Sequence, residues 1–115
     1  MKIAILGLGC VGSGVYEQLQ GRDGLTVARI LHRHPLSGAA EEMRTEDFGE
    51  ILADPEIEAV VEVLGGVEPA RSFVKAALRA GKHVITANKL MLSSDLPGIL
   101  AAAREGGAQL RCSAS

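Results

Sequence analysis

Two hydropathy patterns alternate along this chain. Short strand-forming runs occupy residues 2–6, 25–31, 59–64, 83–86 and 108–112, and those at 2–6 and 59–64 are almost continuously apolar. Such runs fit strands of a parallel sheet covered on both faces, since a half-exposed strand alternates apolar and polar residues. Between the runs, apolar residues recur at three and four. Val11, Val15 and Leu19 form one stripe, Ala70, Phe73, Val74, Ala77 and Leu78 a fuller one, and Leu96, Ile99, Leu100 and Ala103 a third. Each stripe puts an apolar face on a helix that must lie against the sheet. Helix breakers stand at the joints: Gly21 with Gly24, Asp54-Pro55, Gly81, and Gly106-Gly107. Thr45 is placed to cap a short helix, with Glu46 and Asp47 in its first turn and Phe48, Ile51 and Leu52 inward. Residues 35–44 are expected to form a loop around Gly38. Glu68-Pro69 opens the long middle helix, and Ser93, Ser94 or Asp95 caps the last. The alternation predicts an α/β fold, a doubly wound parallel sheet of about five strands with helices on both faces.

Composition narrows the partners. A chain of 115 residues, 47% hydrophobic and 23% charged, makes one globular domain, 1–115. A net charge of −2 gives no electrostatic reason for nucleic acid or an anionic membrane as partner. Aromatic residues at 3% leave no stacking platform for single strands. No apolar segment approaches the roughly 20 residues of a membrane span, and the run after Lys2 stops at a glycine turn instead of forming a secretory leader. Cys10 and Cys112 lie far apart and match no metal spacing. Reduced thiols, no metal and a cytoplasmic location are the expectations.

The first joint carries chemistry. Gly7-Leu8-Gly9-Cys10-Val11-Gly12 follows the first strand and opens the first helix, with the G-x-G-x-x-G form of a dinucleotide-binding turn. Gly7 allows the tight turn, Gly9 lets backbone approach a pyrophosphate, and Gly12 lets helix and strand pack closely. The helix N-terminus then faces the phosphates with free N–H groups and the positive end of its dipole. This is the sequence of a Rossmann-type sheet, and it nominates Gly7, Gly9, Cys10, Val11 and Gly12 as cofactor-binding residues. In such sheets an acid about 20 residues past the glycines holds the adenosine ribose diol. Here no Asp or Glu stands between Leu25 and Ala40, and His32-Arg33-His34-Pro35 occupies the position. Arg33 suits a 2′-phosphate, so NADP(H) is expected to be preferred over NAD(H); a solvated surface arginine is the other reading. His32 and His34 either stack on adenine or are loop histidines without that role.

Further candidates lie at the later strand ends. Leu64, Gly65 and Gly66 end the third strand, where open α/β sheets bind ligands, and would let a cofactor lie against backbone. Glu62, inside an apolar run, is either satisfied by nearby backbone or solvent at a strand end, or serves the substrate side. Lys89 follows the fourth strand beside Asn88. An ammonium there can stabilise negative charge on a carbonyl oxygen or relay its proton; an ordinary surface lysine is the alternative. Thr86 and Asn88 would orient the nicotinamide ribose or the lysine.

Three segments together resemble the N-terminal nucleotide-binding domain of homoserine dehydrogenases. They are Gly7-Leu8-Gly9-Cys10-Val11-Gly12-Ser13-Gly14-Val15, Val61-Glu62-Val63-Leu64-Gly65-Gly66-Val67-Glu68-Pro69-Ala70, and Ala80-Gly81-Lys82-His83-Val84-Ile85-Thr86-Ala87-Asn88-Lys89. The first is shared with many dehydrogenases, whereas the second and third in this order are more specific. The resemblance implies NAD(P)-dependent reduction of aspartate 4-semialdehyde to homoserine, on the route to threonine and methionine. It implies that Lys89, matching the lysine of the family's Thr-Ala-Asn-Lys segment, reaches the reacting centre as a catalytic residue. Family members continue into a substrate-binding, dimer-forming domain that supplies a second catalytic lysine and substrate-binding carboxylates. The expectation is therefore a cofactor-binding part with little turnover alone, taking homoserine or aspartate semialdehyde only with that domain, and homodimeric only as its family is. A stand-alone dinucleotide-sensing module is the competing reading, and a sugar or amino-acid dehydrogenase a weaker one.

Overall fold

The computed structural model describes residues 1–7, 24–36 and 38–112. Gly9, Cys10, Val11, Gly12 and the expected first helix lie outside the described residues. Six strands form one all-parallel sheet: β1 (Lys2–Leu6), β2 (Thr26–Leu31), β3 (Arg44–Thr45), β4 (Ile57–Glu62), β5 (His83–Thr86) and β6 (Leu110–Cys112). Their order across the sheet is β3-β2-β1-β4-β5-β6. Five helices are described: α1 (Ala39–Met43), α2 (Phe48–Ala53), α3 (Ala70–Arg79), α4 (Lys89–Ser94) and α5 (Leu96–Gly106). This is a Rossmann-like α/β sheet, with the strand order reversing between β1 and β4.

The pleat sorts each strand's side chains onto two apolar layers. In β1, Ala4 and Leu6 join one buried cluster and Ile3 and Ile5 the other. The first cluster is closed by Val74, Ala77 and Leu78 of α3 and by Ile99, Ala102 and Ala103 of α5. Ala40 of α1 belongs to the second. Each fully buried Ile or Leu contributes about 1.5–3 kcal/mol to folding. Because β4 pairs Lys2 with Ile57 but Ile3 with Ala59, the register shifts there, and Glu58 is left exposed while its neighbours are buried.

Several expectations need correcting. The sheet has a sixth strand: Arg44, expected in a loop, and Thr45, expected as a helix cap, pair in parallel with Ile30 and Leu31, and residues 39–43 are helical. Thr45 does not cap α2. It lies in β3, while Asp47 is the cap and accepts the Gly49 N–H at 2.8 Å; Thr45 Oγ1 instead accepts the Asp47 N–H and donates to Glu50. The third expected strand starts two residues earlier, at Ile57, where Lys2 offers a partner. A short helix, α4, fills the connection after β5, because Asn88 supplies a cap by accepting the Met91 N–H at 3.1 Å. Asp95, one of three candidates, caps α5. That helix presents Ile99, Ala102 and Ala103 inward, leaving Leu96 and Leu100 exposed. Among the described residues, no helix is long and apolar enough to cross a membrane, and no group of three or more His, Cys, Asp or Glu is placed to hold a metal ion.

Candidate functional site: a cleft at the carboxyl ends of the strands

Neighbouring strands that leave in opposite directions open a crevice at their carboxyl ends. Here it is a cleft of about 560 Å³, within the range of small-molecule sites. The ends of β1 and β2 contribute Gly7, Leu31, His32, Arg33 and His34; the segment after β4 and the start of α3 contribute Leu64, Gly65, Glu68, Pro69 and Phe73. Phe73 stacks on Phe48 of α2, with ring centroids 4.2 Å apart, which holds this wall against α2.

Gly7 brings the two sides together. Its N–H extends the β1–β2 pairing by donating to the Leu31 carbonyl at 2.9 Å. Its φ is 91°, and a Cβ there would stand 3.1 Å from Leu64 Cδ2 and 3.3 Å from the Leu64 backbone. The close approach that excludes a side chain at Gly7 is thus to Leu64 of this chain. Gly65 and Gly66 differ: both have positive φ, 77° and 71°, and nothing lies within 4 Å of where a Cβ would point. They present bare backbone to open space.

Charges in the cleft are mixed. Arg33 is exposed and has no ion-pair partner among the described residues, whereas Arg44 is held by Glu41 at 2.7 Å. The Arg44 guanidinium, with the Leu36 N–H, holds the Glu41 carboxyl below the usual carboxylate range. The imidazoles of His32 and His34 meet edge to face, and His32 Nδ1 lies 2.9 Å from the His34 carbonyl oxygen. Two acids missed by sequence reasoning also line the cleft, Glu46 and Glu68. Glu68 accepts the Ser72 hydroxyl at 2.8 Å and the Ser72 N–H at 3.1 Å, capping α3 from one residue before Pro69. Ser72, with Arg71 assisting, holds its carboxyl below the usual range. The cue for Glu68 was its place before a helix-opening proline; for Glu46 there was none, because β3 carries it to the cleft.

The second group of predicted residues gathers beside the cleft, at the ends of β4 and β5. Thr86 is buried, its hydroxyl donating to Glu62 and its oxygen accepting the Asn88 N–H at 3.0 Å. Asn88 Nδ2 donates to the Gly66 carbonyl at 2.6 Å. Lys89 opens α4 and is exposed. Thr86, Asn88, Gly65 and Gly66 are therefore one connected unit with Lys89 at its edge, while Arg33 stands with the first group. Glu62, left open between two readings, is the hub of that unit.

A family model described as the NAD binding domain of homoserine dehydrogenase matches residues 7–113. The chain belongs to that family. It is 41% identical to the homoserine dehydrogenase of Synechocystis over 93% of this chain and 27% of that protein. It is 31% identical to the Bacillus subtilis homoserine dehydrogenase over all of this chain and 30% of that protein. A crystal structure of the Staphylococcus aureus homoserine dehydrogenase superposes with a TM-score of 0.82 at 35% identity, covering 97% of this chain and 31% of that one. A nicotinamide-dinucleotide-binding domain of this oxidoreductase family is thus established, and with it the resemblance carried by the three segments. The chain spans about three-tenths of the length of the relatives it matches.

Proposed function

We propose that this chain holds a nicotinamide dinucleotide across the carboxyl ends of β1, β4 and β5, with NADP(H) preferred over NAD(H). The residues present fit such a group. Gly65 and Gly66 offer backbone without side chains beside a cleft of suitable size, and Arg33 supplies a free cation at the end of β2. Gly7, Gly9, Cys10, Val11 and Gly12 would form the diphosphate turn, and Leu64 the wall opposite Gly7. The open Gly65-Gly66 backbone at the point where strand order reverses is the observation that carries this reading.

The cofactor, when bound, supplies or accepts a hydride. Everything else falls to side chains. Thr86 and Asn88 orient the Lys89 segment, and Lys89 would hold a proton at Nζ and stabilise negative charge on a substrate carbonyl oxygen. The reaction proposed for the whole enzyme is reduction of aspartate 4-semialdehyde to homoserine, in the cytoplasm, towards threonine and methionine. On this reading the carboxylates that hold the substrate's amino group, a second lysine and a dimer interface belong to the part of the relatives that this chain does not span. Calorimetric titration with NADPH and NADH tests the proposal. NADPH is expected to bind more tightly; failure of both cofactors to bind refutes the site, and equal affinity refutes the preference.

A further inference from the structure

We propose that Glu62 is the positioning residue of this site: its carboxylate couples the turn after β4 to the start of α4 and so sets where Lys89 stands. The role given to Lys89 rests on the function proposed above; the coupling itself does not. Glu62 is the last residue of β4, only 1% exposed, and forms no ion pair with any cation among the described residues. Hydrogen-bond donors surround it instead. Oε2 accepts the Leu64 N–H at 2.8 Å and the Gly65 N–H at 3.3 Å, which closes the turn that carries the open glycine backbone. Oε1 accepts the Thr86 hydroxyl at 2.5 Å, and Asn88 Nδ2 lies 3.4 Å from Oε2.

A partner at the end of the next strand and another just beyond it are more than a strand-end carboxylate needs for its own solvation. Glu62 and Thr86 are register partners across β4 and β5, so the pleat turns both side chains to the same face. With its proton committed to Glu62, the Thr86 oxygen is left as an acceptor, and the Asn88 N–H takes it at 3.0 Å. Asn88 is thereby oriented to donate to the Gly66 carbonyl and to accept the Met91 N–H, the cap that starts α4 at Lys89. Carboxylate, hydroxyl and carboxamide form one relay from the turn at Gly65 to the residue that opens α4. A buried network satisfied at every member has few alternative arrangements, so removing its hub should loosen both ends together.

Amide hydrogen exchange in the 115-residue chain tests the coupling without any ligand. In Glu62→Ala, the Leu64, Gly65 and Met91 amides are expected to lose protection while those of β1 keep it. In Thr86→Val, which breaks only the relay, Met91 should lose protection and Leu64 retain it. Glu62→Gln, whose carboxamide can accept from Leu64 and donate to Thr86, should restore Met91 if Glu62→Ala proves too unstable to study. Met91 protection unchanged in Thr86→Val and in Glu62→Ala overturns the proposal. A second arm compares ligands: Glu62→Ala should weaken NADPH binding about tenfold, with binding of adenosine 2′,5′-bisphosphate unchanged. Equal loss of both would show general disruption and overturn positioning, whereas failure of the parent chain to bind either would count against the cofactor site and leave the exchange result to decide on Glu62.

Discussion

Gly106, at the end of α5, sits against the Leu78 carbonyl of α3: a Cβ on Gly106 would stand 1.7 Å from the Leu78 oxygen. Two effects then compete in Gly106→Ala. Helix propensity favours alanine by about 1 kcal/mol. Overpacking against backbone costs about 1–3 kcal/mol, and a 1.7 Å approach to a carbonyl, with the Leu78 side chain fully buried, belongs at the severe end. The variant is expected to be less stable by about 2 kcal/mol in urea unfolding. A gain in stability would show that α3 and α5 can part without cost.

Lys82 is 5% exposed, yet its ammonium is inside, donating to the Asp54 carbonyl at 2.6 Å and the Ile57 carbonyl at 2.8 Å. It ties the end of α2 and the start of β4 to the start of β5. Burial pushes its pKa below the usual 10.5, and Asp54 partly opposes the shift. The folded state therefore releases its proton at lower pH than the unfolded state. Between the depressed value and about 10.4 the unfolded chain binds more protons, so this group makes stability rise with pH. Lys82→Met keeps the apolar stem but takes the ammonium from both carbonyls, leaving Asp54 with only the Ile57 N–H, and should cost about 1–3 kcal/mol at neutral pH. Measured by denaturation across alkaline pH, the variant should also lack the parent's rise. An identical pH profile would place the ammonium in solvent.

Arg33 and Glu46 line the same cleft with opposite charge. Charge-assisted pairing of an arginine with a phosphate is worth about 1.5–3 kcal/mol. Arg33→Ala should therefore weaken NADPH binding about ten- to a hundredfold and leave NADH nearly unchanged. Glu46→Gln should act the other way, strengthening NADPH binding a few-fold at low salt, with the gain fading as salt is raised. Titrations of both variants with both cofactors check this; loss of NADH binding in Arg33→Ala would mean that Arg33 grips something other than the 2′-phosphate.

How far such a site can be read from residues alone depends on how local its causes are. The limits 2–6 were legible because an apolar run ends at a glycine, 83–86 because a short segment with β-branched residues begins just after one, and the α3 stripe because its spacing is regular. β3 was not, since its two residues, Arg44 and Thr45, are polar and become a strand only by pairing with the end of β2. The inward face of α5 was misread because Ala102 buries fully where leucine looked the better candidate. Arg33, Gly65, Gly66 and Lys89 could be nominated from their places after strands. Glu62 could not be resolved, since Thr86 and Asn88 come from a strand and loop more than twenty residues later.

Asp95 joins two duties whose responses to acid differ. Its Oδ1 accepts the Gly98 N–H at 3.2 Å, capping α5, and its Oδ2 accepts from Lys75 of α3 at 3.0 Å. Lys75 foremost, with the Gly98 N–H, holds its carboxyl below the usual 3.8, against a smaller opposing effect of burial. A depressed carboxylate stabilises the fold fully above its unfolded value, near pH 4, and the contribution is lost as pH falls through the lower folded value. Asp95→Asn keeps an oxygen for the cap but loses the charge. It should be less stable than the parent at neutral pH, with the difference vanishing in acid. Asp95→Ala also loses the cap, which a protonated carboxyl still provides, so it should remain less stable than the parent at every pH. Urea midpoints of the three proteins across the acid range decide the matter: a deficit in Asp95→Asn that persists below the folded value would assign the stabilisation to shape alone and remove Lys75 from it.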